Sequence, residues 1–344
     1  MHTLYRLFAA AMCYVLSIPL SAQRSETLLE TGWLFHLGEA QGAEATNFQP
    51  KDWKQVEVPH DWAITGPFSR QNDLQNVAVS QNFEKQASIK TGRTGGLPYV
   101  GVGWYRRTFR TTPGKRITLV FDGAMSEAQV YVNGQKAIFW PYGYNSFHCD
   151  VTDLIHPDGT ENLLAVRLEN RPESSRWYPG AGIYRHVHLV ETAPIHVPVW
   201  GTQLTTPHVE TGFASVTLRT TVENADTCLL HVVTSIEDAD GRVVDSRDTE
   251  TRVHHGLPVT QHFTVNAPRL WSPESPVLYR AVTKIYAQGQ LQDTYVTPFG
   301  IRSIEYVADK GFFLNGQHRK FQGVCLHHDL GPLGAAENKA ALIR

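Results

Sequence analysis

A strict alternation of apolar and polar residues limits most strongly what this chain can fold into. In residues 116–140, RITLVFDGAMSEAQVYVNGQKAIFW, apolar side chains recur at every second position in two runs. A period of two is that of a β-strand with one buried face. Asn133 and Gly134 separate the two runs, and both tolerate the positive φ that a type I′ turn requires. The segment therefore predicts an antiparallel hairpin.

Similar runs continue to about residue 192, and a second block of short strands follows up to residue 302. In this second block, about seven short strands are separated by turn signals such as Asp240-Gly241 and Gln288-Gly289. The 27 glycines and 19 prolines suit tight turns, and no stretch has a convincing helical period. The pattern predicts a mainly β protein with two β-sandwiches. The second resembles an immunoglobulin domain without the Cys…Trp…Cys pattern of true immunoglobulins.

Size and charge exclude some classes of partner. The 344 residues carry a net charge of −2, with 42% hydrophobic residues. This is ordinary globular material, long enough for two or more domains of roughly 100–200 residues each. A nearly neutral chain offers no electrostatic reason to bind nucleic acid or an anionic membrane.

The first 22 residues have the pattern of a secretory signal peptide. His2 and Arg6 precede an apolar run that is shorter than the about 20 residues of a membrane span, and Ser21-Ala22 follows it. We expect cleavage near Ala22, a secreted or periplasmic protein, and no membrane contact afterwards. The remaining cysteines, Cys149, Cys228 and Cys325, lie too far apart for a zinc motif or a disulfide framework.

Residues 303–344 have a different pattern. A hairpin leads into the apolar run FQGVCL, then into HHD, a Gly/Pro turn and an Ala-rich stretch that can start a helix. Strand, loop and helix form the first unit of an α/β fold, whereas a complete (β/α)₈ TIM barrel needs about 250 residues. We therefore expect a truncated barrel here.

Seven stretches carry a family resemblance. They are VEVPHDWAI, GWYRRTF, FDGAMSEAQVYVNG, RWYPGAGIYRHVHL, LWSPESPVLY, FGIRSIEY and GFFLNGQHRKFQGVCLHHDLG. Together they resemble glycoside hydrolase family 2, in particular its secreted bacterial β-galactosidases, over nearly all of the chain after residue 22. The resemblance implies three parts: a sugar-binding jelly-roll sandwich at 26–192, an immunoglobulin-like sandwich at 195–301, and the start of the catalytic barrel at 303–344.

The resemblance also implies a chemistry. The family hydrolyses terminal β-linked sugars with retention, which needs two carboxyl groups about 5 Å apart. Its catalytic glutamates belong to later barrel strands, beyond residue 344, so we expect no catalytic residue in this chain and no activity of the chain alone. Glu161, Glu169, Glu173 and Glu191 are interpreted as solvated charges, and Glu337 is expected in the nascent helix on the outside of the barrel.

The HHD cluster supplies the first candidate binding residues. If residues 320–328 form barrel strand one, His327 and Asp329 lie at the carboxyl-terminal rim, where barrel active sites are built, and His328 points to the other face. His327 matches the family histidine that binds the sugar. The alternative, for all three, is a structural role in fixing the following turn. A metal site is disfavoured because adjacent histidines on a strand point apart, and neither metal nor cofactor is expected.

The stretch SSRWYPGAGIYR supplies the second candidates. Many relatives have an acidic sugar-binding residue just before the tryptophan, but Ser174 and Ser175 stand in this region instead. Arg176 or Trp177 is expected to replace that contact, although a tryptophan is often a packed core residue.

Several alternatives stay open at this point. A β-glucuronidase or β-mannosidase specificity is compatible with the same family, and a non-catalytic carbohydrate-binding protein is the alternative from another class. The partial barrel argues against the latter. A carbohydrate is the expected partner in every case, and the sequence leaves open whether the full-length parent forms a homo-oligomer.

Overall fold

The structure is a computed structural model that describes residues 24–91, 99–175, 177–223, 228–252, 257–327 and 329–344. The predicted signal peptide lies outside these ranges. None of the helices in the described ranges is both long and apolar enough to cross a membrane.

The first part is a sandwich of two antiparallel sheets. Its strands are β1 (Ser25–Leu28), β2 (Trp33–Leu37), β3 (Lys54–Val56), β4 (Leu74–Val77), β5 (Ser88–Thr91), β6 (Gly101–Phe109), β7 (Arg116–Phe121), β8 (Ala128–Val132), β9 (Gln135–Trp140), β10 (Phe147–Asp150), β11 (Asn162–Asn170) and β12 (Val187–Thr192). One sheet has the order β1-β12-β7-β10, and the other has the order β3-β2-β6-β11-β8-β9. Strands β4 and β5 form a separate hairpin. Short 3₁₀ turns occupy Ala63–Thr65, Ser80–Asn82 and Thr152–Leu154.

Sequence alternation explains this core. In β7, Ile117, Leu119 and Phe121 are fully buried between the two sheets. The predicted hairpin is present, because Val132 pairs with Gln135 across Asn133 and Gly134, whose φ values are +49° and +82°. Both values suit a type I′ turn, whose twist matches that of the flanking strands.

The second part is a smaller sandwich. Its strands are β13 (Thr202–Val209), β14 (Phe213–Thr220), β15 (Leu229–Glu237), β16 (Val243–Arg252), β17 (Val259–Asn266), β18 (Tyr279–Ala287) and β19 (Gln290–Phe299). They form two sheets, β13-β14-β17 and β16-β15-β18-β19. Val216, Leu218, Ile236 and Phe263 form the buried layer between them. The predicted mainly β fold with two sandwiches is thus confirmed.

The last part corrects one prediction. Strands β20 (Ile304–Val307), β21 (Gly311–Leu314) and β22 (Gln317–Arg319) form a small meander, but residues 320–327 are not a strand. A strand of a parallel sheet needs hydrogen-bonding neighbours, and the described residues offer none at this position. The alternation of faces that we expected for Gly323, Cys325, His327 and Asp329 is therefore absent.

The end of the chain contains two short helical elements. A 3₁₀ turn covers Gly331–Leu333, and the helix α1 covers Lys339–Ile343. The side chain of Asn338 caps α1 by accepting a hydrogen bond from the Ala341 N–H at 2.9 Å. A short helix therefore forms where the Ala-rich stretch predicted one, although barrel strand one does not.

The three cysteines of the described residues are free thiols. Cys149 is buried in the first sandwich, and burial raises the pKa of its thiol to about 12. Cys228 is half-buried and Cys325 is exposed. The three thiols are thus unpaired, as expected, but Cys325 is exposed because residues 320–327 do not form the predicted barrel strand.

Candidate functional site

The loop that joins β11 to β12 carries Trp177 at one edge of the first sandwich. At its start, the Asn170 side-chain amide donates to the Gly180 carbonyl at 3.0 Å, and near its end Gly182 pairs with Met125. These bonds fix the loop at two points. Trp177 is 37% exposed, so it does not serve as a packed core residue.

A second loop, between β9 and β10, places two tyrosines beside Trp177. The indole N–H of Trp177 donates to the Tyr144 hydroxyl at 3.1 Å, and the Tyr142 ring lies 5.6 Å from that of Tyr144. The Tyr184 hydroxyl donates to the Gly143 carbonyl at 2.7 Å and so holds this loop in place. Two loops of the sandwich thus present aromatic rings side by side.

His327 completes this group from the far end of the sequence. Its ring centroid lies 5.6 Å from that of Trp177, at an interplanar angle of 70°. We call Tyr142, Tyr144, Trp177 and His327 the aromatic corner. An aromatic face with a nearby imidazole suits a sugar, since the ring takes up its C–H groups and the imidazole bonds to a hydroxyl.

The other predicted binding residues have different placements. The Asp329 carboxylate accepts the Gly331 N–H at 2.8 Å, so it fixes the following turn, as the structural alternative supposed. Arg176 and His328 lie outside the described residues. The structure therefore brings together two of the five predicted residues, Trp177 and His327.

Asp61 is the residue that sequence reasoning missed. It is only 3% exposed. Its carboxylate accepts four hydrogen bonds: from the Ala63, Ala181 and Ala335 N–H groups at 2.8–2.9 Å, and from the Tyr178 hydroxyl at 2.5 Å. Burial raises the pKa of Asp61, and these hydrogen bonds act in the opposite direction. One carboxylate thus joins two loops of the sandwich to the segment after β22.

Two glycines permit this close approach. Gly334 and Gly180 have positive φ values of +62° and +69°, which favour glycine. A Cβ on Gly334 would collide with the Asp61 carboxylate, and one on Gly180 would collide with the Cβ of Ala335. Both positions therefore require glycine.

Further contacts dock the same segment on the sandwich. Ala335 is buried against Met125 and Tyr184. The Glu337 N–H donates to the Tyr184 carbonyl at 2.9 Å, and the Glu337 carboxylate lies 3.8 Å from the Arg185 guanidinium. We call residues 331–337 the docked segment. Because it follows His327 by only a few residues, its anchoring keeps that histidine near Trp177.

A sequence signal for Asp61 existed in the motif VEVPHDWAI. Asp61 stands in this motif between His60 and the core residue Trp62. A carboxylate next to a core residue is buried only where hydrogen-bond donors surround it. Three of the four donors to Asp61, the Tyr178 hydroxyl and the Ala181 and Ala335 N–H groups, come from residues 117 to 274 positions away, which no local pattern reveals.

Comparisons with known proteins agree with this architecture. Residues 27–193 match the family model described as the sugar binding domain of glycosyl hydrolases family 2, and residues 197–302 match a second model of the same family. The chain belongs to glycosyl hydrolases family 2. The two matches coincide with the two sandwiches, and the docked segment lies beyond both.

Individual relatives are similar along almost the whole chain. The β-galactosidase BoGH2A of Bacteroides ovatus is 41% identical over 95% of this chain, and a β-glucuronidase of Bacteroides fragilis is 29% identical over 95%. The solved structure of a family 2 member from Bacteroides cellulosilyticus superposes with a TM-score of 0.81, at 33% identity over 92% of the chain. The chain spans 37%, 46% and 40% of the length of these three proteins, respectively.

Among the residues that the structure describes, no group of three or more His, Cys, Asp or Glu side chains could hold a metal ion. Of the glutamates considered above, Glu169 pairs with Arg167 at 3.2 Å, and Glu191 accepts the Thr112 N–H at 2.6 Å. These carboxylates are engaged in contacts within the sandwich.

Proposed function

We propose that this chain is the sugar-recognising part of a retaining, exo-acting β-galactosidase. The observation that carries the proposal is the aromatic corner, where Trp177 and His327 meet although they are 150 positions apart. The similarity to a β-galactosidase over 95% of the chain supports galactose as the sugar. Export to the periplasm or the medium is part of the same proposal, on the basis of residues 1–22.

In this proposal the corner binds and does not cleave. Trp177 offers its ring to the apolar face of the sugar, and His327 donates a hydrogen bond to a hydroxyl next to the scissile bond. Such a bond can strengthen as the transition state gains oxocarbenium character. The carboxylates that act as acid and nucleophile are expected, from the family resemblance, on barrel strands beyond residue 344. This chain alone should therefore show no hydrolysis of chromogenic β-galactosides above background.

The test uses the enzyme that contains this chain as its amino-terminal part. His327→Ala should lower kcat/KM for a p-nitrophenyl β-galactoside by about 10²-fold, as expected for the loss of one positioned donor. Trp177→Ala should lower it by about tenfold, the value of one aromatic contact. His231→Ala is the matched control, because this partly exposed histidine pairs with Asp248 and Glu250 in the second sandwich, away from the aromatic corner.

Three results would contradict the proposal. The first is wild-type kinetics in His327→Ala. The second is enzyme-like turnover by this chain alone. The third is a preference for a p-nitrophenyl β-glucuronide over the β-galactoside. The specificity would then be that of a β-glucuronidase, as named for the Bacteroides fragilis relative.

A further inference from the structure

A cavity lies at the junction of the two sandwiches. It shares no residue with the aromatic corner. Its volume is about 350 Å³, within the usual range for small-molecule sites, which often lie between domains. One wall is the outer face of the β1-β12-β7-β10 sheet, with Glu26, Asp122 and His188. The opposite wall is β19, including Tyr295, and Trp200 comes from the segment that connects the sandwiches.

The back of this junction cavity is held rigidly. Asp293 is 1% exposed, and its carboxylate accepts the Val197 N–H at 2.9 Å and two guanidinium nitrogens of Arg24 at 2.8 and 3.2 Å. The Arg24 guanidinium also lies over the Tyr295 ring, 4.8 Å from its centroid. A site with walls fixed in advance loses less entropy when a ligand binds.

Two carboxylates present acceptors to the cavity. The His188 ring lies between them, with Nε2 2.8 Å from an Asp122 oxygen and Nδ1 2.6 Å from a Glu26 oxygen. The hydrogen bond to Nε2 holds one Asp122 oxygen in place, whereas the Glu26 oxygen lies close to Nδ1 without hydrogen-bond geometry. Within the residues that the structure describes, the other oxygen of each carboxylate accepts no hydrogen bond, so both can accept hydrogen bonds from hydroxyl groups of a ligand.

Trp200 supplies an open aromatic face beside these acceptors. It is 56% exposed, although a large apolar side chain on a loop gains nothing from contact with water. Its backbone has a φ of +58°, within a turn closed by the Gly201 N–H donating to the Pro198 carbonyl at 2.9 Å. The His148 ring packs against the indole, with centroids 5.0 Å apart at 78°. The indole is therefore held outward by its surroundings.

We propose that the junction cavity binds a neutral saccharide. Its C–H face would lie on Trp200, and its hydroxyls would donate to Glu26 and Asp122. An anionic ligand is disfavoured, because the charge of Arg24 is already compensated by Asp293. A cationic ligand is disfavoured as well, because a cation already occupies a face of Tyr295.

This site goes beyond the proposed function, because it lies apart from the aromatic corner and shares no residue with it. Its role is to hold a glycan on the surface of the protein. The two sites can therefore be tested independently, with variants of Trp177 for one and of Trp200 for the other.

The test is a titration of the chain with lactose, cellobiose and xylobiose, followed by calorimetry and by protein NMR. We expect at least one of them to bind with a Kd of about 1 mM, since only one face of the sugar is in contact. Trp200→Ala and Glu26→Gln should each weaken binding about tenfold or more. Trp200→Phe retains an aromatic face and should retain most of the affinity. Phe213→Ala, which removes another exposed aromatic residue, should leave it unchanged.

Several outcomes overturn the inference. One is the absence of binding by any of the three sugars up to tens of millimolar. Another is binding that Trp177→Ala abolishes and Trp200→Ala does not, which would place the sugar in the aromatic corner and leave the proposed function intact. Tetramethylammonium binding to the junction cavity, in place of the sugars, would assign the site to cations.

Discussion

At the residue scale, His60 shows how burial changes the chemistry of one side chain. Its Nδ1 lies 2.7 Å from the Tyr105 hydroxyl, and its ring packs against Phe35 with centroids 4.9 Å apart. Burial, with a smaller contribution from the positive charge of Lys54, lowers the pKa of His60 to about 4. The folded protein therefore contains a neutral His60 at pH 7.

This pKa predicts a loss of stability in mild acid. In the unfolded chain a histidine has a pKa of about 6.5. As the pH falls from about 6.5 to 4, the unfolded state takes up a proton that the folded state does not, which favours unfolding. The free energy of unfolding should fall by up to about 3 kcal/mol over this window because of His60. Urea titrations at pH 7, 5.5 and 4 measure it.

The variant His60→Gln isolates this contribution, because glutamine still offers an acceptor to Tyr105 and does not titrate. Its free energy of unfolding should depend less on pH than that of the wild type between pH 6.5 and 4. His231→Gln, at an exposed position, is the control and should keep the wild-type dependence. An equal pH dependence in His60→Gln and the wild type would contradict the assignment.

At the scale of elements, the docked segment depends on Asp61 for its position. Residues 331–337 contribute little regular structure of their own, only a 3₁₀ turn at Gly331–Leu333. In Asp61→Asn, one carboxylate oxygen becomes an NH₂ group, which faces donors that it cannot satisfy. We expect the free energy of unfolding to fall by about 1–3 kcal/mol, and the Ala335 amide to exchange its hydrogen faster.

Hydrogen exchange with mass spectrometry distinguishes release of the docked segment from general destabilisation. Asp73→Asn is the matched control, since Asp73 is also buried and accepts a backbone N–H, that of Glu173 at 2.6 Å. It should leave exchange in residues 331–337 unchanged. If the Ala335 amide stays protected from hydrogen exchange in Asp61→Asn, the contacts with Met125 and Tyr184 are sufficient to hold the docked segment.

At the scale of the whole molecule, the apolar residues of the stretch 320–327 are exposed to solvent, although the docked segment that follows is anchored. Phe321, Val324 and Leu326 are 74%, 86% and 88% exposed. They are close in sequence and lie between the last meander strand and the docked segment. Contiguous exposed apolar residues promote association of protein molecules. We therefore expect this chain to self-associate through residues 320–327.

Replacing Phe321, Val324 and Leu326 together with serine should shift the sedimentation profile towards monomer. The melting temperature should fall only slightly, because the packing lost is mainly that of Phe321 on Phe312, whose ring centroids are 4.6 Å apart. The control replaces three scattered exposed residues, Ile89, Val243 and Leu257, with serine. Single exposed apolar residues are normal on protein surfaces, so the control should associate like the wild type. If both triple variants associate to the same extent, the surface through which the chain self-associates lies outside residues 320–327.

What the sequence determined by itself is the set of local features. Alternation specified the strands of both sandwiches, because a period of two leaves one face of each strand to be buried. Asn133-Gly134 specified a turn, because both residues accept positive φ, and the chain also turns at Gln288-Gly289; all four residues have positive φ in the structure. His327 and Trp177 were identified through a family resemblance, which supplies a role for a residue but no distance between two of them.

Tertiary structure alone decided what depends on partners distant in the chain. Residues 320–327 have the pattern of a strand, yet a pattern cannot provide the neighbours to which a strand must bond. Asp61 became a junction because donors from three separate segments converge on it. The junction cavity likewise brings together residues from both sandwiches, and Arg24 and Asp293 at its back are 269 positions apart. Long-range contacts of this kind are invisible to local patterns, and they create the sites.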